Sequence, residues 1–423
     1  MLHPPVTACA SVGDDDPTCP LSLFAPDWRC GTPDQLRALI GECHSRGVRV
    51  LHSVQLAHTS DRVTSSPDAG TTTHVWSSAA LDAAAYYDVV HCAEPGDHGG
   101  ISLIPSAAAG PHKPAPNGPP PASLNPCATA TQNLMVNAMR HWAATYRVDG
   151  FFLLGANATN RGPHGRPPLL ESIALDAVVG GHGALLFAHH EPGEASPHGT
   201  HGGLSLPHWG VLGETITAFP SDIAAFCTGA PGQLSALATR LCGSGDVVGG
   251  SLRGPSHALN TCPQVTGPAH TRLAVLITMA AAGMPALRAS DVLSAEDPTL
   301  GAFVKAACEA RQRHSSLLAR PQFPPDGAIA WFDATLQRPK WEDAQAAATM
   351  AVCMPASTPT LFLALNGGSP ATGGGDVAFT LPSAPQGMAW RILLDAGAAS
   401  PADCTPRVRV VLVRAKLAMR VRH

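Results

Sequence analysis

The chain has 423 residues, of which 45% are hydrophobic and 14% charged, with a formal net charge of −4. That length and composition predict two or three folded domains with a sizeable core and exclude a disordered chain. The mild acidity gives no electrostatic ground for a nucleic-acid or acidic-membrane partner, and no run reaches the ~18 consecutive apolar residues that a membrane helix needs.

Residues 1–21 read as an irregular N-terminal segment, and the region up to residue 31 is polar and turn-rich. Met1–Pro5 carries neither an apolar signal core nor an Arg/Ser-rich transit pattern. Thr32, Pro33, Asp34 and Gln35 then form a capping box with Pro at the first helical position, and Leu36, Leu39, Ile40 and Cys43 follow at helical spacing until Gly47 stops the run. Val48–Leu56 reads as a strand. Residues 60–125 are loop-like, with His112–Pro121 too rich in Pro for a helix or a central strand. Leu134, Met135, Ala138, Met139 and Trp142 make the apolar stripe of a second helix. After it, Val148–Leu154 is apolar without alternation, as in a parallel strand buried on both faces.

Leu169–Val179 reads as helix, Ala184–Ala188 as a short strand, and residues 271–287 and 299–319 as helices. From about 323 the texture changes to short strands punctuated by Pro and Gly: Ile329–Phe332, Leu361–Leu365, Val377–Leu381, Trp390–Leu394 and Val408–Val413. The order is α/β first and all-β last. The twelve cysteines are dispersed and include no C-x-x-C pair, which predicts reduced thiols, not a zinc ribbon or a disulfide framework.

Several stretches carry a family resemblance. They are Phe24–Asp27, Gly31–Pro33 with its helix, Tyr86–Asp88, Leu124–Pro126, Met139–Trp142, Tyr146–Phe151, Arg161–Gly162, Pro168–Ile173, Leu237–Asp246, Arg253–Pro255, Leu259–Asn260 and Gly283–Pro285. In this order the chain resembles the isoamylase branch of the α-amylase superfamily, starch debranching enzymes that cleave α-1,6 branch points of glycogen or amylopectin. Arg313–Leu318, Trp331, Arg338–Asp343 and Gln386–Trp390 resemble most the non-catalytic isoamylase subunit of plants and green algae. The resemblance implies a (β/α)₈ barrel followed by a β-sandwich. The front carbohydrate-binding domain and the first two barrel strands have no counterpart, so the expected fold is an incomplete barrel over 22–322 and a small C-terminal all-β sandwich over 323–423.

Retaining glycoside cleavage needs a carboxylate nucleophile and a carboxylic acid about 5–5.5 Å apart, and in a barrel such groups sit at the C-terminal strand ends. Matched to the family's motifs, the orienting Arg and the nucleophilic Asp fall at Phe152 and Leu154, and the general acid at His189. The His-Asp pair that stabilises the transition state falls at Val265 and Thr266. The leading Asp of the earliest motif falls at Ser53, while the His five residues later is kept as His58. Asp149 lies an odd number of residues before Leu154, on the opposite face and ~16 Å down the strand at ~3.3 Å per residue; Glu191 is the remaining substitute acid.

The resemblance thus implies a catalytically inactive subunit, working in the plastid beside a catalytic isoamylase and a branched α-glucan, with no cofactor. The rival reading is an active α-1,6-glucan hydrolase using displaced carboxylates. Trp209, Trp331, Trp341 and Trp390 could stack on sugar rings; of these, Trp209, Trp331 and Trp341, with His58, are the candidate glucan contacts. The histidines between His182 and His208 predict no metal site, because His190-Glu-Pro192 breaks the helix that such a motif needs.

Overall fold

The computed structural model describes residues 7–9, 20–59, 63–65, 72–74, 79–91, 101–103, 122–156, 168–176, 183–189, 211–216, 218–243, 257–294, 296–320, 323, 329–341, 343, 348–354, 361–368, 377–383, 388–396 and 410–417. The chain divides into two compact units, Met1–Thr215 with Gly249–Ser256, and Ile216–Val248 with His257–His423.

The first unit is built on parallel strands. Its N-terminal part pairs β1 (Thr7–Cys9) with β2 (Pro20–Pro26). Helix α1 (Pro33–Ser45) starts as the sequence predicts: Thr32 Oγ1 accepts from Gln35 N–H (3.2 Å) and Gln35 Oε1 accepts from Thr32 N–H (2.8 Å). Strand β3 (Leu51–Gln55) follows, and the two-residue β4 (His58–Thr59) pairs with β9 (Ala122–Ser123). Between them, the stretch read as loop holds β5 (Val63–Ser65) with β6 (Thr72–His74), helix α2 (Ala79–Tyr86), and β7 (Val89–His91) with β8 (Ile101–Leu103). These pairs are three residues long, too short to leave a periodic signal.

Helix α3 (Thr129–Tyr146) packs the expected stripe inward, with Met135, Ala138, Met139, Trp142 and Tyr146 all buried. Trp142 anchors it: its indole N–H donates to the Leu23 carbonyl (2.7 Å) and its ring lies 3.7 Å from that of buried His52, planes 21° apart. Strand β10 (Gly150–Leu154) runs parallel between β3 and β11 (Leu185–His189), and β11 continues to β12 (Gly213–Thr215). Gly150 permits this spacing, since a Cβ there would lie 2.1 Å from the Leu185 carbonyl oxygen. Helix α4 (Pro168–Leu175) adds Leu169, Leu170 and Ile173 to the same core.

In the second unit, helices α5 (Ala218–Cys227) and α6 (Leu234–Leu241) precede β13 (His257–Thr261). Helix α7 (Pro268–Ala280) is buried along its whole second half and leads to β14 (Met284–Ala286), parallel to β13. The helix expected through 287 therefore stops at 280: Gly283 at φ +92° turns the chain, and a Cβ there would lie 2.4 Å from the Ala258 carbonyl oxygen. Helices α8 (Leu300–Arg313) and α9 (Ser315–Leu318) complete the helical layer.

The C-terminal region supplies an antiparallel sheet in the order β15 (Ala330–Phe332), β16 (Thr349–Met354), β17 (Leu361–Asn366), β19 (Val410–Leu417), β18 (Met388–Asp395). Alternation sorts its two faces. Met350, Val352, Met354, Leu361, Leu363 and Leu365 join the core of the unit's helices. Ala351, Cys353, Phe362 and Ala364 form a second cluster with Phe332, Phe379, Trp390 and Ile392 against it. The strand expected over Val377–Leu381 is absent. Thr380 N–H reaches the Ala334 carbonyl (2.8 Å), but Pro382 follows and offers no donor to extend a ladder.

Candidate functional site

The register of the parallel strands decides what the candidate positions can do. Phe152 lies opposite Ser53 on β3 and Phe187 on β11, and Leu154 lies opposite Gln55 and His189. On the next strand Gly213 is opposite Phe187, which brings Thr215 level with His189. Paired residues of parallel strands share a face, so Ser53, Gln55, Phe152, Leu154, Phe187, His189 and Thr215 line one surface at the C-terminal strand ends. Phe151 and Leu153 are completely buried against the helices; on the opposite face Phe152, Leu154 and His189 are partly exposed, while Ser53, Gln55, Phe187 and Thr215 are buried.

Among the described residues of these strands this surface carries no carboxylate and no guanidinium. Phe152 and His189 face each other with ring centroids 6.0 Å apart and planes at 29°. The imidazole is fixed on its other side by a 2.9 Å hydrogen bond between His189 Nδ1 and Thr215 Oγ1. Gln55 Oε1 accepts from the Ala57 N–H (3.0 Å), which turns the chain towards Gly155. Gln55 and Thr215 were not among the sequence candidates. Gln55 shares parity with Ser53 and could have been read from the strand; Thr215 sits on a three-residue strand, 26 residues beyond its partner, with no local signal.

The two described acids on or next to these strands are directed elsewhere. Asp149 sits at the N-terminal end of β10, where its Oδ2 accepts from Val50 N–H (2.8 Å) and meets His44 Nε2 (2.8 Å) at the end of α1. Glu214 is buried on β12 opposite Ala188, so it shares the helix-facing side with Leu153 and Val54. Glu191 and Trp209 lie outside the described residues.

The remaining candidates are scattered. His58 is buried on β4, in the same unit. Val265 and Thr266 belong to the second unit, in the turn between β13 and α7. There Val265 is half-buried against the core and the Thr266 carbonyl lies 3.0 Å from His270 Nδ1. Trp331 and Trp341 form an edge-to-face pair, centroids 5.8 Å apart, half-buried on the same core. Among the described residues no group of three or more His, Cys, Asp or Glu could hold a metal ion, and no helix is long and apolar enough to cross a membrane.

No family model matches the chain. Curated proteins do. Isoamylase 2, chloroplastic, of Arabidopsis thaliana is 26% identical over 342 residues, covering 62% of this chain and 37% of that protein. Isoamylase 2, chloroplastic, of Oryza sativa subsp. japonica is 36% identical over 141 residues, covering 32% and 17%. Isoamylase 3, chloroplastic, of the same rice is 28% identical over 236 residues, covering 53% and 26%. The chain thus spans about a third or less of the length of these relatives, each of which is named as chloroplastic. Among solved structures, a pullulanase from Paenibacillus barengoltzii superposes with a TM-score of 0.60 at 14% identity, covering 98% of this chain and 69% of that one. An α-amylase from Geobacillus thermoleovorans does so at 0.59 and 11%, covering 98% and 87%. In sequence the chain resembles the isoamylase-type branch of the α-amylase superfamily, and its fold is of the α-amylase type.

Proposed function

We propose that this chain is a catalytically inactive, isoamylase-like subunit that assists a catalytic isoamylase in debranching α-1,6 linkages during starch metabolism, and that it binds branched α-glucan. One observation carries the reading: the strand ends where a retaining glycosidase would hold its nucleophile and acid present Ser53, Gln55, Phe152, Leu154, His189 and Thr215. A leucine side chain has no lone pair to attack an anomeric carbon. An imidazole alone supplies at most one half of the acid–nucleophile pair that the double displacement requires. In this reading residues 22–322 are the barrel-derived part and 323–423 the C-terminal β-domain. The partner role is carried over from the family resemblance alone.

The test is reducing-end release from amylopectin by the purified chain, alone and mixed with a catalytic isoamylase, with a cooperative melt as proof of folding. The expected result is no release alone, with a changed rate or product profile and co-elution in the mixture. Release by the chain alone would overturn the assignment and direct attention to Glu191. No effect on the isoamylase and no co-elution would remove the partner role.

A further inference from the structure

Most of the described tryptophans have a packing role. Trp142 is buried and bonded to Leu23, Trp331 and Trp341 pack edge to face on the second unit's core, and Trp390 donates its indole N–H to the Pro382 carbonyl (2.7 Å). Trp28 has none. It is 78% exposed, and among the described residues its indole has neither a hydrogen-bond nor a ring partner. An indole left in water forgoes the burial that makes tryptophan favourable in a core, so folding does not account for it.

The turn that carries it, Trp28–Cys30 between β2 and α1, is held by its neighbours. Buried Asp27 accepts from the Arg29 N–H (2.9 Å) and from the Arg29 guanidinium through Nε (3.0 Å) and Nη2 (2.6 Å). Cys30 N–H donates to the Asp27 carbonyl (2.9 Å) and Gly31 N–H to the Trp28 carbonyl (3.2 Å). None of these bonds uses the indole, which is therefore mounted on a fixed support that costs a ligand little ordering.

The setting selects the ligand. The core of a protein interface joins several apolar side chains into one patch, whereas Asp27, Arg29, Thr32 and Asp34 around this turn are polar or charged. A glucose ring needs only one flat aromatic face for its apolar C–H side and leaves its hydroxyls in water.

We infer that Trp28 is a surface contact for α-glucan, its indole stacking on one glucose ring and taking no help from β3, β10, β11 or β12. This rests on the glucan-binding part of the reading above.

The experiment is affinity electrophoresis of the full chain in amylopectin gels, with calorimetric titration by maltoheptaose, for the parent, Trp28→Ala and Trp28→Tyr. The expected result is that Trp28→Ala weakens binding by about three- to tenfold, the range of one aromatic contact. Trp28→Tyr stays within about twofold of the parent, and both variants melt like it, because an exposed side chain is removed. Parent-like binding by a folded Trp28→Ala variant would overturn this inference and leave the proposed function intact. Unchanged glucan binding with lost co-elution of a catalytic isoamylase would make Trp28 a protein contact, which also overturns it. No binding of amylopectin by the folded parent would remove glucan binding from the proposed function as well.

Discussion

Arg272 and Asp297 supply the sharpest test of how the second unit is held together. Arg272, on the first turns of α7, points its guanidinium at Asp297, just before α8. Nε lies 2.7 Å from Oδ2 and Nη2 2.8 Å from Oδ1, with both side chains more than 90% buried. Asp297 Oδ1 also accepts from Thr299 N–H (3.1 Å) and Thr299 Oγ1 (2.8 Å), and the guanidinium carbon sits 5.8 Å from the centre of the Phe303 ring. Replacing Arg272 by Met keeps the volume and strips the carboxylate of its charge partner, a change that costs about 3–5 kcal/mol when the pair is buried. At roughly 2–4 °C per kcal/mol for a unit of 150–250 residues, the melting midpoint should fall by about 6–20 °C.

The hydrogen bond from Arg272, then those from Thr299, hold the Asp297 carboxyl below the usual carboxylate range against the opposing effect of burial. A lowered folded-state pKa contributes stability above the unfolded value of about 3.9 and loses it as pH falls through the lower, folded value. In Arg272→Met the largest part of that lowering is gone and only the Thr299 bonds remain, so the gap between parent and variant should be widest near pH 7 and narrow below pH 4. Urea titrations at pH 7 and at about pH 2.5 measure both numbers. A cost under about 1 kcal/mol at pH 7, or a gap that widens in acid, would refute the reasoning. So would an Arg272→Met/Asp297→Leu double variant no more stable than the single one.

Gly150→Ala should lower the urea midpoint of the first unit by the equivalent of at least about 3 kcal/mol, the upper part of the overpacking range, because the new Cβ meets backbone at 2.1 Å and not a side chain that can swing away; hydrogen exchange of the β3, β10 and β11 amides reads it locally. Leu154→Asp should destabilise by about 1–3 kcal/mol at pH 7 and by less at pH 4, since an acid among Gln55, His189 and Phe152 has no cation on these strands and is tolerated better once protonated; equal cost at the two pH values counts against it. Burial pushes the Cys262 thiol up to about 12 and those of Cys242 and Cys353 up to about 11, and lifts Cys227 as well. A thiol-disulfide probe at pH 8 should therefore modify exposed Cys30 and Cys127 at once, and Cys227, Cys262 and Cys353 only after denaturant is added.

The features legible in the sequence were those written in local code. The Thr32–Gln35 capping box closes as its spacing requires, and the unalternated run after Val148 is a parallel strand between two others. Parity along that run also placed Asp149 away from Leu154, and its carboxylate is bound to Val50 at the far end. The features missed were set by tertiary context. Met284–Ala286 continues an apolar stretch that reads as helix, and only the positive φ of Gly283 and its close approach to Ala258 separate strand from helix. Helices 218–227 and 234–241 do carry a helical repeat, Phe219, Ile223, Phe226 and Cys227 in one and Leu234, Leu237 and Leu241 in the other, whereas strand 349–354 is almost wholly buried and shows no alternation. The contact of His189 with Thr215 joins strands that share no motif.

In the proposed reading the residues at positions 152, 154 and 189 form one set. An Arg left at 152 beside Leu154 would be a partly desolvated cation without its carboxylate, and an Asp left at 154 beside Phe152 would be an acid without its cation; each half-lost state costs more than either complete one. The strand ends instead hold groups that engage each other: the Phe152 and His189 ring centroids lie 6.0 Å apart, and His189 Nδ1 lies 2.9 Å from Thr215 Oγ1. Restoring Arg and Asp together at 152 and 154 should therefore cost less stability than Leu154→Asp alone, yet yield no hydrolysis, because His189 and Thr266 still stand where the resemblance puts the other two carboxylates. Recovery of α-1,6 cleavage by that double change alone would show that the interior face holds a competent acid after all.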